Sequence, residues 1–333
     1  MRMLATVALI ATAATVISCN KHLPDPALPQ GTAIQFTTED NWTKAIADES
    51  TLESEGFRVW GWFKGTTEGH IFYTNKTDDG THVTDSNGEW TYDPENPRYW
   101  MNGTYDFFAV YPNAIAANVT HANDAFTFAY TLPSNANEQV DILVASSPDI
   151  DGSDSSVHES GVNLRFEHAL CQLSFEATAT KSKDEEQSNT NDNLKAIIYG
   201  IDIYARESGS YSSVTEEWVS SGTIENIYSV KGNDNLIMGE WTTLESGIIM
   251  LPQNLSGARL EVRYYGERED KTLGVCTYKH FFDSNANWEK AQKIKYQIEI
   301  ARNGAILFTP VVTPWVNASG GSFIVNTPGT ATN

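Results

Sequence analysis

The sequence predicts an all-β protein built from two β-sandwich domains in series. Three observations predict it. Short apolar segments recur along the chain, each bounded by Gly, Pro, Asn, Asp or Ser clusters. Several alternate apolar and polar residues with period two, the pattern of a strand dry on one face and wet on the other. Helical signal is confined to two stretches, 41–48 with Asn41 as cap, and 287–291. A chain of 333 residues is more than one core usually serves, so two domains are expected.

The strands follow in order. The first spans 34–38, with Ile34 and Phe36 apolar. Others are expected at 57–63, 70–74, 89–92, 105–111, 125–132 and 141–146. Two of these are apolar on both faces: Val59, Trp60, Trp62 and Phe63 in one, and Tyr105, Phe107, Phe108 and Val110 in the other. Such strands need cover on both sides, from a second sheet or another chain. Between 162 and 179 the apolar set changes parity, from Val162, Leu164, Phe166 and Leu170 to Cys171, Leu173, Phe175 and Ala177. One straight strand with one dry face cannot do this. A bulge near His168 or Ala169 would explain it, and so would a strand that leaves one core for another. The domain junction is placed here, giving domains at 33–165 and 166–326. Residues 181–193 form a charged loop. The 197–205 strand is expected to bury Ile197, Tyr199, Ile201 and Ile203 on one face. The 259–264 and 294–300 segments alternate cleanly and read as half-buried antiparallel strands. The 327–333 tail is small and polar and is expected to fray.

Residues 1–18 have the parts of a secretory signal: Met1-Arg2-Met3, an apolar run from Leu4 to Ile17, and Ser18 at the cut. Cys19 follows directly. The segment resembles a lipobox, although Ile17 departs from its preference for a small residue. The resemblance implies a diacylglycerol on Cys19 and an anchor in a membrane outside the cytoplasm. Residues 19–32, with Pro24, Pro26 and Pro29, read as a tether. The leader holds one of the 22 basic residues and none of the 43 acidic ones, so the rest carries 21 against 43, a net charge of −22. That charge repels nucleic acid, which is excluded as a partner. Beyond Cys19, only Cys171 and Cys276 remain. They suit one disulfide in an oxidising compartment or two buried thiols acting as small hydrophobes, and the second reading is preferred.

Catalytic motifs are missing. There is no GxSxG, GxGxxG, phosphate-binding loop or HExxH, and the seven histidines show no ligand spacing. His168 reads as a satisfied core histidine. The 149–154 run of aspartates places its glycine too early for a calcium loop and reads as an acidic surface turn. The tryptophans, including Trp60, Trp62, Trp100 and Trp241, fall in or beside strands and are expected to pack in the core. No enzyme, cofactor or metal is expected.

Several pieces then fall into a familiar order. They are Ala-Ile-Gln-Phe-Thr at 33–37, Thr43-Lys44-Ala45, Phe-Arg-Val-Trp-Gly-Trp-Phe at 57–63, and Tyr99-Trp100 leading to Tyr-Asp-Phe-Phe-Ala-Val-Tyr-Pro at 105–112. Asp-Ile-Leu-Val-Ala at 141–145, Leu-Arg-Phe-Glu-His-Ala-Leu at 164–170, Trp288, Tyr-Gln-Ile-Glu-Ile at 296–300 and Val-Thr-Pro-Trp at 312–315 complete it. In this order the chain resembles a fimbrillin, the subunit of type V pili. The resemblance implies two transthyretin-like sandwiches and a structural, adhesive role at the cell outer membrane or in a fimbrium. The partners it implies are other fimbrial subunits, together with host or bacterial surface ligands. It also implies cleavage after a basic residue beyond the first strand. Here that is the Lys44–Ala45 step, although the family often carries Arg there. The cut would release the strand holding Ile34 and Phe36 and open a groove for a strand of the next subunit. The donor would come from the C-terminal region, where Ile306, Phe308, Val311, Trp315, Phe323 and Val325 are the apolar candidates. The alternative function is a surface glycan-binding lipoprotein of a nutrient-uptake system.

Overall fold

The computed structural model describes residues 32–38, 49–72, 80–86, 89–93, 97–181, 195–267, 272–301 and 306–315. The leader, nearly all of the tether and the 181–193 loop, the 41–48 helix and the 327–333 tail lie outside them. The chain is all-β, as expected. Its helices are short, the first being Glu49–Glu55.

The first half centres on a seven-stranded antiparallel sheet. Its order is Glu167–His168, Leu143–Asp151, Thr104–Tyr111, Phe57–Lys64, Thr81–Ser86 and Glu89–Thr91, with Gly69–Phe72 also on Phe57–Lys64. The two strands apolar on both faces lie at its middle. Successive side chains alternate across the sheet. Trp60 and Phe108 therefore enter one hydrophobic cluster, while Val59 and Phe107 enter another. The expected double cover is present.

The smaller cluster lies between this sheet and the opening strand Phe36–Thr38. The larger one includes a four-stranded sheet of Glu217–Ser221, Ser208–Ser212, Ala125–Thr131 and Val119–Ala122. This sheet draws strands from both sides of residue 165. The larger cluster continues into two facing four-stranded sheets. One runs Thr242–Met250, Cys171–Thr180, Gln292–Ala301, Ile306–Pro314. The other runs Glu225–Ile237, Lys195–Ala205, Arg259–Glu267, Leu273–Phe281.

The parity change at 162–179 is a transfer between cores. Val162, Leu164 and Phe166 belong to the smaller cluster, and Ala169, Leu170 and Cys171 to the larger. The chain breaks into Val162–Leu164, Glu167–His168 and Cys171–Thr180, each pairing in a different sheet. Of the two explanations, the change of core is the one found.

Four expectations need correction. The 287–291 segment contains a short strand, Asn287–Trp288, paired with Gln253–Asn254. Five residues are too few to nucleate a helix, and burial of Trp288, whose Nε1 donates to Tyr296 Oη at 2.9 Å, favours the extended form. In Lys195–Ala205, Tyr199 is exposed and Ile197 only half-buried, where both were expected to be buried. A register shift between Ile198 and Gly200 moves the buried set from Ala196 and Ile198 to Ile201 and Ile203. The 294–300 strand is antiparallel only to Ile306–Pro314, and it runs parallel to Cys171–Thr180. Trp241 is exposed, because it lies in the turn before Thr242–Met250 and not in a strand.

Candidate functional site

Where the described chain begins, a short strand is plugged into the smaller cluster. Ile34 and Phe36 are 0 % and 3 % exposed. The Phe36 ring meets Phe107 and Tyr92 edge-on, at 5.7 and 6.2 Å between centroids. Burial of two such side chains contributes about 1.5–3 kcal/mol each. The backbone is held at scattered points. Ile34 N donates to Arg98 O at 2.7 Å, and Trp100 N donates to Thr32 O at 3.3 Å. Tyr92 Oη donates to Ile34 O at 2.9 Å, and burial pushes that hydroxyl's pKa up. Trp90 Nε1 donates to Thr38 Oγ1 at 3.1 Å.

On its other side the strand runs parallel to Val162–Leu164, and Val162 N donates to Gln35 O at 2.8 Å. Gly161 makes this approach possible. Its φ is +78°, and a Cβ there would stand 3.1 Å from Gln35 O. The arrangement is a short plug held mainly by two side chains spaced two apart. Without it, Val162–Leu164 would lose its only partner strand among the described residues, and the Phe36 pocket would be empty.

At the other end of the described chain, Ile306–Pro314 is an edge strand laddered along its whole length to Gln292–Ala301. Ile306 and Phe308 pack partly against the larger cluster, while Leu307 and Val311 are exposed. Trp315 closes the strand. It is buried, it stacks on His168 at 4.1 Å between centroids, and its N donates to Ala291 O at 2.5 Å. His168 Nδ1 in turn lies 2.8 Å from Asp141 Oδ2, both side chains being buried. His168 is thus a core histidine with a partner, as the sequence suggested.

The structure does not bring the expected assembly residues together. Ile34 and Phe36 sit in the smaller cluster, and Ile306, Phe308 and Trp315 in or against the larger. Cys19, Lys44, Ala45, Phe323 and Val325 lie outside the described residues. Sequence reasoning missed Trp90, Tyr92 and Arg98 as parts of the plug's seat. Their only signal was a place in or near a predicted strand.

Among the described residues no group of three or more His, Cys, Asp or Glu side chains is placed to hold a metal ion. Of the 149–154 aspartates, Asp149 lies 3.9 Å from Lys64 Nζ and the other two serve local turns. Asp151 and Asp154 accept from Ser153 and Ser156, and these bonds hold both carboxyls below their ordinary pKa. Cys171 and Cys276 are free, the first buried and the second half-buried.

The profile of the fimbrillin-like family matches residues 43–315. Among solved structures, a fimbrial protein from Bacteroides vulgatus superposes with a TM-score of 0.59 at 15 % identity, covering 85 % of this chain and 99 % of its own. A fimbrilin from Porphyromonas gingivalis aligns with a TM-score of 0.47 at 10 % identity, covering 87 % of this chain and 100 % of its own. No curated protein matches the chain.

Proposed function

The chain belongs to the fimbrillin-like family, and from that premise we propose that it is a fimbrial subunit assembled by strand exchange. Family membership makes it a structural, non-enzymatic component of a cell-surface fimbrium that assembles with other fimbrial subunits. The exchange, the maturation step and the place in the fimbrium are the proposed part.

The observation that carries this reading is the plug formed by residues 34–38. It is buried through two side chains, has few backbone bonds, and is joined to Glu49–Glu55 by a segment that contains Lys44–Ala45. Cleavage there would free the plug without cutting any described strand. A strand of another subunit, taken from the region between Ile306 and Val325, would then restore the lost pairing. Cys19 would carry a lipid that delivers the precursor to the outer membrane, and cleavage would remove lipid and plug together. Division of the chain into two sandwiches near residue 165 belongs to the same proposal, with the hairpin formed by Ser208–Ser212 and Glu217–Ser221 reaching back across it.

The test is N-terminal sequencing of the protein recovered from cells. A stalk subunit starts at Ala45. A start at Cys19 sinks the stalk version and leaves an anchor that keeps lipid and plug.

A further inference from the structure

One edge of the molecule is built to pair. Leu273–Phe281 matches Arg259–Glu267 over its full nine residues without a register shift, and its other side has no partner among the described residues. It therefore presents a row of unpaired backbone N–H and C=O groups. Leu273, Val275, Thr277, Lys279 and Phe281 face outward, and the apolar three are 60 %, 53 % and 62 % exposed. Exposed edges are usually blunted by proline, bulges, inward charges or charged side chains on the edge, lysine above all. This strand has no proline or bulge, and its single charge, Lys279, points out and is engaged by Glu261 at 3.3 Å. The edge strand of the facing sheet, Ile306–Pro314, differs, since Pro310 and Pro314 remove two backbone donors. His280 stacks on Phe308 at 4.3 Å between centroids, so the two edges lie side by side.

The sequence of this edge is complementary to itself. Centred on Thr277, an antiparallel copy sets Leu273 against Phe281 and Val275 against the stem of Lys279, with Thr277 facing its own copy. On the inner side Gly274 meets His280, which leaves room for the ring, and Cys276 meets Tyr278. No like charges face each other. We propose that Leu273–Phe281 pairs with the same strand of a second copy of this chain, joining the two four-stranded sheets across a two-fold axis at Thr277. The pairing is isologous and does not depend on strand exchange. The formal charge of −21 on each chain opposes it, so raising ionic strength strengthens the dimer.

Cysteine cross-linking tests both the contact and its register. Residues facing each other in an antiparallel pair have Cα atoms about 4.5–5.5 Å apart, within disulfide range. In the full chain carrying Cys276→Ser, Thr277→Cys should give a reducible dimer under mild oxidation, while Val214→Cys, at an exposed turn, should not. Light scattering of the unmodified chain should show a dimer. Val275→Lys, which sets lysine against Lys279, should shift it to monomer mass with an unchanged melting temperature. The proposal is overturned if the unmodified chain is monomeric, if Thr277→Cys cross-links no more than Val214→Cys, or if Val275→Lys leaves the dimer intact. Head-to-tail polymers formed by strand exchange would persist in Val275→Lys, so the two ideas fail separately.

Discussion

Phe36→Ala asks whether the plug is a separately releasable element. The ring is nearly fully buried and touches Phe107 and Tyr92 edge-on. Truncating a buried phenylalanine costs about 3–5 kcal/mol, and the two ring contacts, about 0.5–1.5 kcal/mol each, fall within that. Each 1.4 kcal/mol is about tenfold in an equilibrium constant. If the loss falls on local opening, the opening constant of the plug rises by about two to three and a half powers of ten. The Val162 amide reports this, because it donates to Gln35 O only while the plug is seated. Hydrogen exchange followed by mass spectrometry should show the peptide holding Val162 exchanging far faster, with peptides from Gln292–Ala301 unchanged. Gln35→Ala, at an exposed side chain, should do little. The reasoning is refuted if Val162 exchange does not change. It is refuted equally if Val162 and the Gln292–Ala301 amides accelerate in step, because the plug would then leave only when the whole molecule unfolds.

Two further predictions concern the cores. Burial, as the largest cause, pushes the hydroxyls of Tyr105 and Tyr111 up to about 12, against about 10 in an unfolded chain. Their contribution to stability is whole below pH 10 and is lost as pH rises towards 12, so the part of the phenolate absorbance that is missing from a Tyr105→Phe, Tyr111→Phe variant should grow together with loss of the β circular dichroism signal and not before it. Asp141→Ala leaves His168 Nδ1 without its carboxylate in a buried site, which costs about 1–3 kcal/mol and should appear as a lower urea midpoint. A change within about 0.5 kcal/mol would show that the pair contributes nothing.

What the sequence revealed depended on how local the cause was. Strands with one dry face, such as Arg259–Glu267, could be read from alternation alone. So could the double cover of Phe57–Lys64 and Thr104–Tyr111, because both faces were apolar in the chain itself. The parity change at 162–179 signalled a discontinuity, but the choice between a bulge and a change of core rests on partners distant in sequence. Tyr199 was misplaced because its bulge is defined against Arg259–Glu267, and the one mark within its own segment is Gly200, where a Cβ would stand 2.9 Å from Val230 O. The parallel pairing of Cys171–Thr180 with Gln292–Ala301 joins segments more than a hundred residues apart, and no local pattern encodes it. At the plug, Ile34 and Phe36 were visible as an apolar pair, but their seat was not. Trp90, Tyr92 and Arg98 act there through isolated hydrogen bonds and, for Tyr92, an edge-on ring contact with Phe36, none of which leaves a periodicity.

The opening and closing strands are held by opposite means, and this bears on which segment can be exchanged. The plug has little ladder and depends on Ile34 and Phe36, two apolar side chains two residues apart. A replacement strand must therefore bring two apolar side chains at the same spacing. Ile306 and Phe308 have that spacing, but they are committed to the larger cluster by a ladder running from Ile306 to Pro314 and by the buried Trp315 beyond it. Donating them would break a nine-residue pairing in the donor to mend a three-residue one in the acceptor. Phe323 and Val325 have the same spacing and follow Trp315 in sequence, so using them leaves the ladder whole. On the proposed exchange, Trp315 is thus the point at which the subunit keeps its own strand, and the residues after it are the donor. Phe323→Ala with Val325→Ala should abolish polymers while leaving the monomer's stability unchanged. Polymers that survive this double change would return the donor role to Ile306–Pro314.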